Sequence, residues 1–268
     1  MRNEPHDGRR SFLKLATIGA FGTALPAVAL GAARAQADLS VPPDVGTKFN
    51  ADGSVRRFAG NTVIYHLPQQ GADADAFEAL LALYRRFAVT PFMHAIAPLP
   101  PSSWHMTVYG GANDSTRARG DWPTYVPLDA PMAECNARVS ERLRALRLDL
   151  TLPLRMRIDP AQVPVNGEPL MIRLLPLDRA EAARLGHIRA ALGEAYALRQ
   201  TKPEPYHFHI TLGYFFQRLS PAQEHSMQAT FAGWVRQVGT KVPEIRLGAP
   251  EFCTFEDMFA FKRQFYIV

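Results

Sequence analysis

His105-Met106-Thr107-Val108 and His209-Ile210-Thr211-Leu212 are the same phrase written twice, once in each half of a 268-residue chain. Each is a His-x-Thr-aliphatic run inside a strand-like segment. Alternate side chains of a strand point to one face, so each phrase presents an imidazole and a hydroxyl together while its aliphatic residues pack behind. Imidazole titrates near neutrality: a neutral ring accepts a proton where a charged one donates it. Threonine hydroxyls hydrogen-bond oxyanions. Two facing pairs of this kind suit acid/base chemistry at a phosphodiester.

Outward from these strands the chain alternates strands and helices. Residues 61–67 (NTVIYHL) read as a buried strand, and 75–87 as an amphipathic helix opened by the box Asp75-x-x-Glu78. The first His-x-Thr strand spans 104–109. A helix follows over 134–148, then strands near 150–158 and 170–175 with a hairpin turn at Asn166-Gly167. Asp178-x-x-Glu181 opens a helix to about Leu198, and 206–216 carries the second His-x-Thr. Ser220-Pro221-x-Gln223 starts another helix, and strands over 244–255 and 258–267 close the chain. Strand, helix and His-bearing strand in one half are echoed in the other.

The first 37 residues read as a leader. Arg9-Arg10-Ser11-Phe12-Leu13-Lys14 is a twin-arginine signature, followed by a mildly apolar run from Leu15 to Leu30 and an Ala35-Gln36-Ala37 cleavage site. The apolar run is too short and interrupted for a membrane span. The expectation is a twin-arginine signal peptide over 1–37, export by that machinery, cleavage after Ala37, a periplasmic location, and one domain over 38–268 with no stable membrane association.

Loss of the leader changes the charge argument. The whole chain has 30 basic and 25 acidic residues and a pI near 9.4, but residues 38–268 keep 25 and 23. So small a surplus lacks the broad positive footprint of a protein that binds nucleic-acid backbones. An anionic ligand must be met locally. Two cysteines, Cys135 and Cys253, read as buried thiols ahead of a disulfide.

With two His-x-Thr phrases in duplicated halves, the chain resembles the 2H phosphoesterase superfamily over residues 45–268, in a bacterial 2H phosphodiesterase-like branch that opens with Gly46-Thr47-Lys48-Phe49. The resemblance implies an α+β, duplicated two-lobe fold with antiparallel sheets flanked by helices and the active cleft between the lobes. It further implies a metal-independent phosphodiesterase, without cofactor, acting on a small or cyclic phosphodiester or nucleotide, 2′,3′-cyclic nucleotides and RNA ends included. His105 and His209 become the acid/base pair, and Thr107 and Thr211 the phosphate ligands.

Further candidates lie nearby. By period 2, Tyr109 shares the face of His105 and Thr107, and His207 that of His209. Lys48 and Arg173 could add positive charge. His66 reads as structural. The long stretch 110–131, with Arg117, Arg119, Trp122 and Tyr125, suits a nucleotide-binding loop or a surface insertion. Two alternatives stand beside the enzyme: a cupin-like metal site of His207, His209 and His105, and an exported phosphate- or nucleotide-binding protein without turnover.

Overall fold

The computed structural model describes residues 40–148, 150–198 and 206–268. The twin-arginine leader expected over 1–37, with its cleavage site after Ala37, lies outside the described residues.

Nine described strands form one curled, antiparallel half-barrel sheet. They are β1 (Gly60–His66), β2 (Ile96–Pro98), β3 (His105–Asn113), β4 (Leu154–Ile158), β5 (Leu170–Pro176), β6 (His209–Phe215), β7 (Ile245–Leu247), β8 (Glu251–Phe255) and β9 (Lys262–Tyr266). Their order is β7-β4-β5-β6-β3-β1-β8-β9, with β2 also paired to β6. The two His-bearing strands are therefore central neighbours, and each leads into a flanking set of three strands. This is the duplicated α+β architecture expected from the repeat.

Four helices cover the sheet: α1 (Asp75–Tyr84), α2 (Met132–Ala145), α3 (Arg179–Tyr196) and α4 (Pro221–Lys241). In α1, Ala76, Ala79, Leu80 and Leu83 are buried, a one-face stripe at helical spacing. The halves interleave: α1 packs on α4, which covers β4, while α2 and α3 pack together against β1, β3 and β8. The α4 residue Trp234 lies in an aromatic cluster with Phe87, Phe92 and Phe231 at centroid separations of 5.4, 6.0 and 6.2 Å. Burying rings of this size contributes about 1.5–3 kcal/mol each.

Two helix starts follow their sequence signals. Asp178 accepts from the Glu181 amide, and Ser220 with Gln223 forms a reciprocal capping box. The first does not: α1 starts after Ala74, and no side chain caps it. The expected 134–148 helix starts two residues earlier and ends at Ala145.

Three other expectations change. The run 244–255 is two strands on opposite sides of the sheet, because Gly248-Ala249-Pro250 breaks the ladder: β7 pairs β4 and β8 pairs β1. The β4–β5 pair exists and a tight turn does lie at Asn166-Gly167, where the Glu168 amide donates to the Val165 carbonyl at 3.1 Å, but it sits inside a longer connection running from 159 to 169. Asn166 ties that loop to the Leu219 backbone, accepting from its amide at 2.8 Å and donating to its carbonyl at 2.9 Å. The loop after β3 uses its own binding-type residues internally. Trp122 is buried and donates to the Pro127 carbonyl, while Arg117 lies 4.4 Å over its ring and donates to the Leu128 and Ala130 carbonyls. Tyr125 donates to the Ala195 carbonyl beneath Arg142. These contacts tie Arg117, Trp122 and Tyr125 into the protein itself. Arg119 is exposed.

Both cysteines are free and buried, Cys135 on α2 and Cys253 on β8. No described helix is long and apolar enough to cross a membrane.

Candidate active site

The strands β3 and β6 meet through the pair Met106–Ile210 in an antiparallel ladder. That register sets His105 opposite Thr211 and Thr107 opposite His209, with opposed Cβ atoms on the order of 5 Å apart. Each histidine thus stands beside the other motif's threonine. The two phrases, 104 residues apart in the chain, become one four-residue square around a local two-fold axis.

Both imidazoles are oriented in the same way. The Nδ1 of His105 lies 2.6 Å from the Ser103 carbonyl, and that of His209 lies 2.8 Å from the His207 carbonyl. A carbonyl only accepts, so Nδ1 carries the proton in each ring and Nε2 is left for chemistry. In both cases the orienting carbonyl is two residues before the histidine, a symmetry of backbone that follows from the repeat. Burial pushes His105 down to about 3, with His66 and His209 as like-charge neighbours and the Ser103 carbonyl opposing. Burial lowers His209 as well, with Lys48, Arg173 and His207 adding to the effect.

A β-bulge interrupts each strand just past its threonine. On β3, Ile64 faces Thr107 and Val63 faces Tyr109, so Val108 is the extra residue. On β6, Met171 faces Thr211 and Leu170 faces Gly213, so Leu212 is the extra residue. Both bulged carbonyls are satisfied: Arg189 donates to that of Val108 at 2.6 Å, and the Leu99 amide to that of Leu212 at 2.9 Å.

The bulges overturn the strict period-2 reading. Tyr109 turns away from the face of His105 and stacks on Tyr196 of α3 at 5.1 Å, so it is absent from the His-x-Thr face. Tyr214 turns toward that face, where it lines the cavity with Lys48 and Thr211, and its hydroxyl donates to the Met258 sulfur at 3.7 Å. Because the two strands read Tyr109-Gly110 and Gly213-Tyr214, equal bulges place Gly110 on the site face of one and Tyr214 on the site face of the other. Sequence reading missed Tyr214. Gly213 was the available signal, since a glycine inside a strand marks a bulge or a close backbone approach.

A cavity of about 250 Å³ lies over this face. His105, Thr107, Thr211, Lys48, Tyr214 and Gly110 line it with Phe58, Phe255, Met258 and Phe261. His209 is not on its wall, although it bears electrostatically on His105. Lys48 pairs with Asp44 at 2.8 Å, and its ammonium lies 4.8 Å over the Tyr214 ring. Burial alone would lower Lys48, but Tyr214 and Asp44 outweigh it, so its charge is held firmly. One fixed cation, two threonine hydroxyls and the His105 imidazole thus face the same cavity.

Arg173 and His207 go elsewhere. Arg173 is paired in register with His209 but, with His207, lines a separate cavity of about 680 Å³ beside α3, on which Tyr109 also borders. Their bearing on the site is electrostatic, through His209.

The set His105, His207 and His209 is not brought together as a ligand group. Among the described residues, the group of three or more His, Cys, Asp or Glu donors that converges is His66, Glu251 and Cys253, within 4.8 Å of one another. The Glu251 carboxylate there already has His66 at 2.8 Å and Arg263 at 3.5 Å, so its charge is met by the protein itself.

Residues 48–165 match the family model described as a 2H-phosphodiesterase domain of unknown function (DUF1868). Over those residues, which include His105 and Thr107, the chain is similar to the 2H phosphodiesterase family. Among solved structures, the chain is similar to the conserved protein of unknown function ATU0111 from Agrobacterium tumefaciens str. C58. The identity is 27%, over 85% of this chain and 94% of that one, with a TM-score of 0.75. It also matches E. coli LigT complexed with NADP+, at 12% identity over 78% and 96% of the two chains and a TM-score of 0.40. The protein TT0787 of Thermus thermophilus matches at 16% identity over 74% and 87%, with a TM-score of 0.37. No curated protein matches the chain.

Proposed function

We propose that this protein is a 2H-type phosphoesterase that hydrolyses a small phosphodiester of the 2′,3′-cyclic nucleotide type, with His105 and His209 as a metal-independent acid/base pair. The observation that carries this reading is the crossed square of His105, Thr211, Thr107 and His209, completed by Lys48 and Tyr214. Lys48 and the two threonines would hold the phosphoryl oxygens. One Nε2 would take the proton of the attacking water as the other donates to the departing ribose oxygen, so the proton count balances across the phosphate. A cavity of about 250 Å³ falls just below the usual range of about 300–1,000 Å³ for ligand pockets, which favours a compact diester over long RNA.

The test is hydrolysis of 2′,3′-cyclic AMP in EDTA by the wild type and by His105→Ala and His209→Ala. Turnover that survives EDTA and drops at least about 100-fold in each variant supports the paired-histidine reading. Turnover abolished by EDTA and restored by a metal ion overturns it in favour of a metal site. Binding without turnover favours the exported binding-protein reading.

We also propose a periplasmic location by twin-arginine export. The support is the Arg9-Arg10 signature and the Ala35-Gln36-Ala37 site. Cell fractionation of the wild type and an Arg9→Lys, Arg10→Lys variant tests it, since retention of the variant precursor in the cytoplasm is the expected result.

A further inference from the structure

Outside the His-x-Thr square, three metal-binding groups of different softness meet on one side of the sheet. Glu251 and Cys253 stand two residues apart on β8, so strand alternation gives their side chains one face. Ile64 of β1 is paired in register with Glu251, and His66 lies two residues further along that strand. One imidazole nitrogen, one carboxylate oxygen and the thiol sulfur fall within 4.8 Å of one another. The His66 Nδ1 is 2.8 Å from Glu251 Oε2, and the Cys253 Sγ is 4.0 Å from the same oxygen. The proposed hydrolysis uses none of these three groups as a reacting residue.

We infer that His66, Glu251 and Cys253 form a zinc site, with three protein ligands and a fourth position open to an outside ligand. The site is independent of the proposed hydrolysis. Nitrogen, oxygen and sulfur donors together are a set that zinc accepts, whereas magnesium and calcium take oxygen. With zinc bonds of about 2.0–2.3 Å, a tetrahedron sets its nitrogen and oxygen ligands about 3.4 Å apart and its sulfur and oxygen ligands about 3.6 Å apart. The first separation must open by about 0.6 Å and the second close by about 0.4 Å, changes within reach of small side-chain rotations.

Charge favours the same ion. Glu251 and Cys253 are buried, and a carboxylate with a thiolate cancels the double charge of zinc, leaving a neutral complex that burial does not oppose. The thiol proton leaves as the zinc–sulfur bond forms, so each ion bound releases one proton and no electron moves. The His66 ring stays neutral, its proton on Nε2 once Nδ1 carries the ion. Without metal, His66 and Arg263 meet the Glu251 charge, and zinc replaces both contacts. The Arg263 contact, at 3.5 Å, is at the outer limit of a hydrogen bond, and this half-exposed side chain keeps the Tyr266 ring at 4.5 Å.

His66, Glu251 and Arg263 line a cavity of about 730 Å³, while Cys253 is fully buried and off its wall. An ion therefore enters from the cavity, and its fourth position faces that space, where water completes the tetrahedron. An open fourth position marks a zinc ion available to a ligand, whereas a structural zinc is closed by four protein groups.

The test uses untagged protein stripped with EDTA, dialysed against Zn2+ and assayed for metal content, with Co2+ as a spectroscopic substitute. One ion per chain is expected, with the near-ultraviolet charge-transfer band of a cobalt–thiolate bond and the intense visible bands of a tetrahedral ion. Cys253→Ser should remove the charge-transfer band, and Cys135→Ser should leave it in place. Cys253→Ser, Glu251→Gln and His66→Gln should each weaken zinc binding at least about 100-fold, since even groups one step removed from a metal cost about 10–100-fold. His209→Ala should bind zinc as the wild type does, and circular dichroism shows which variants fold. Absence of a stoichiometric ion, or cobalt bound without a thiolate band, overturns the inference. Loss of binding in His209→Ala but not in Cys253→Ser also overturns it, in favour of the His-x-Thr histidines as ligands. Should Cys253→Ser fail to fold, the wild-type band and its survival in Cys135→Ser still decide the matter. Metal content and spectrum are read without substrate, so failure of the site and failure of the hydrolysis are separate results.

Discussion

Tyr214 holds its ring 4.8 Å from the Lys48 ammonium, on the same cavity wall as Thr211. The pair joins two parts of the chain that no strand ladder connects: Lys48 belongs to the turn-rich segment before β1, and Tyr214 reaches the cavity because of the bulge at Leu212. The cation is fixed at two points, by the Asp44 carboxylate and by the Tyr214 ring. Lys48→Met should therefore lower kcat/KM for a phosphodiester about 100-fold, and Tyr214→Phe about 10-fold, with thermal midpoints close to that of the wild type. Steady-state kinetics beside a melting curve checks both.

The threonines should separate from the histidines in kinetics. Thr107→Val and Thr211→Val each remove one neutral hydrogen bond to the phosphoryl group, worth about 0.5–1.5 kcal/mol, so each should cost roughly 3- to 10-fold in kcat/KM. His105→Ala and His209→Ala should cost at least about 100-fold in kcat, and the double variant little more than either. Additive losses in the double variant would show that the histidines act independently.

A pH dependence of stability follows from His105. Its folded midpoint, near 3, lies below the 6.5 of an unfolded histidine, so the unfolded chain binds a proton that the folded one refuses. Stability should fall as pH drops below about 6.5, by at most roughly 1.4 kcal/mol per pH unit from this group, until about pH 3. Urea unfolding of the wild type and His105→Gln between pH 7 and 4 measures it. The variant should show the shallower slope, and parallel slopes would refute the burial of a neutral ring.

Gly213 is needed for a close approach. A Cβ there would meet Ile96 Cγ2 at 2.7 Å and the Ala97 carbonyl oxygen at 2.9 Å, both on β2. Gly213→Ala should overpack the β2–β6 contact, cost about 1–3 kcal/mol and lower the melting temperature by roughly 5 °C. Gly110→Ala, where the same space is open, should leave the melting temperature nearly unchanged.

The thiols should be silent in the native protein. Burial pushes Cys135 up to about 11 and Cys253 up to about 12. A thiol reagent at pH 8 should find none until denaturant is added, and then two per chain.

The local features that were legible in the sequence are those whose physics is local. The two His-x-Thr phrases, the caps at Asp178 and Ser220, and the apolar stripe of α1 each follow from side-chain geometry within a few residues. The duplication of strand, helix and His-bearing strand therefore determined the fold class and named His105, Thr107, His209 and Thr211 as the candidates. Tyr109 and Tyr214 show where such reading stops. Strand alternation assumes an unbroken ladder, and a bulge that inverts the face of everything beyond it is stabilised from a distance, by Arg189 of α3 at one strand and by the Leu99 backbone at the other. His66 meets Glu251, 185 residues away, and stands in register with His105, contacts that no local pattern shows. Sequence determined which chemistry the chain carries. Tertiary structure alone decided that β3 and β6 are neighbours and which residues join them at the site, because register and bulges are properties of strands that meet only when the chain has folded.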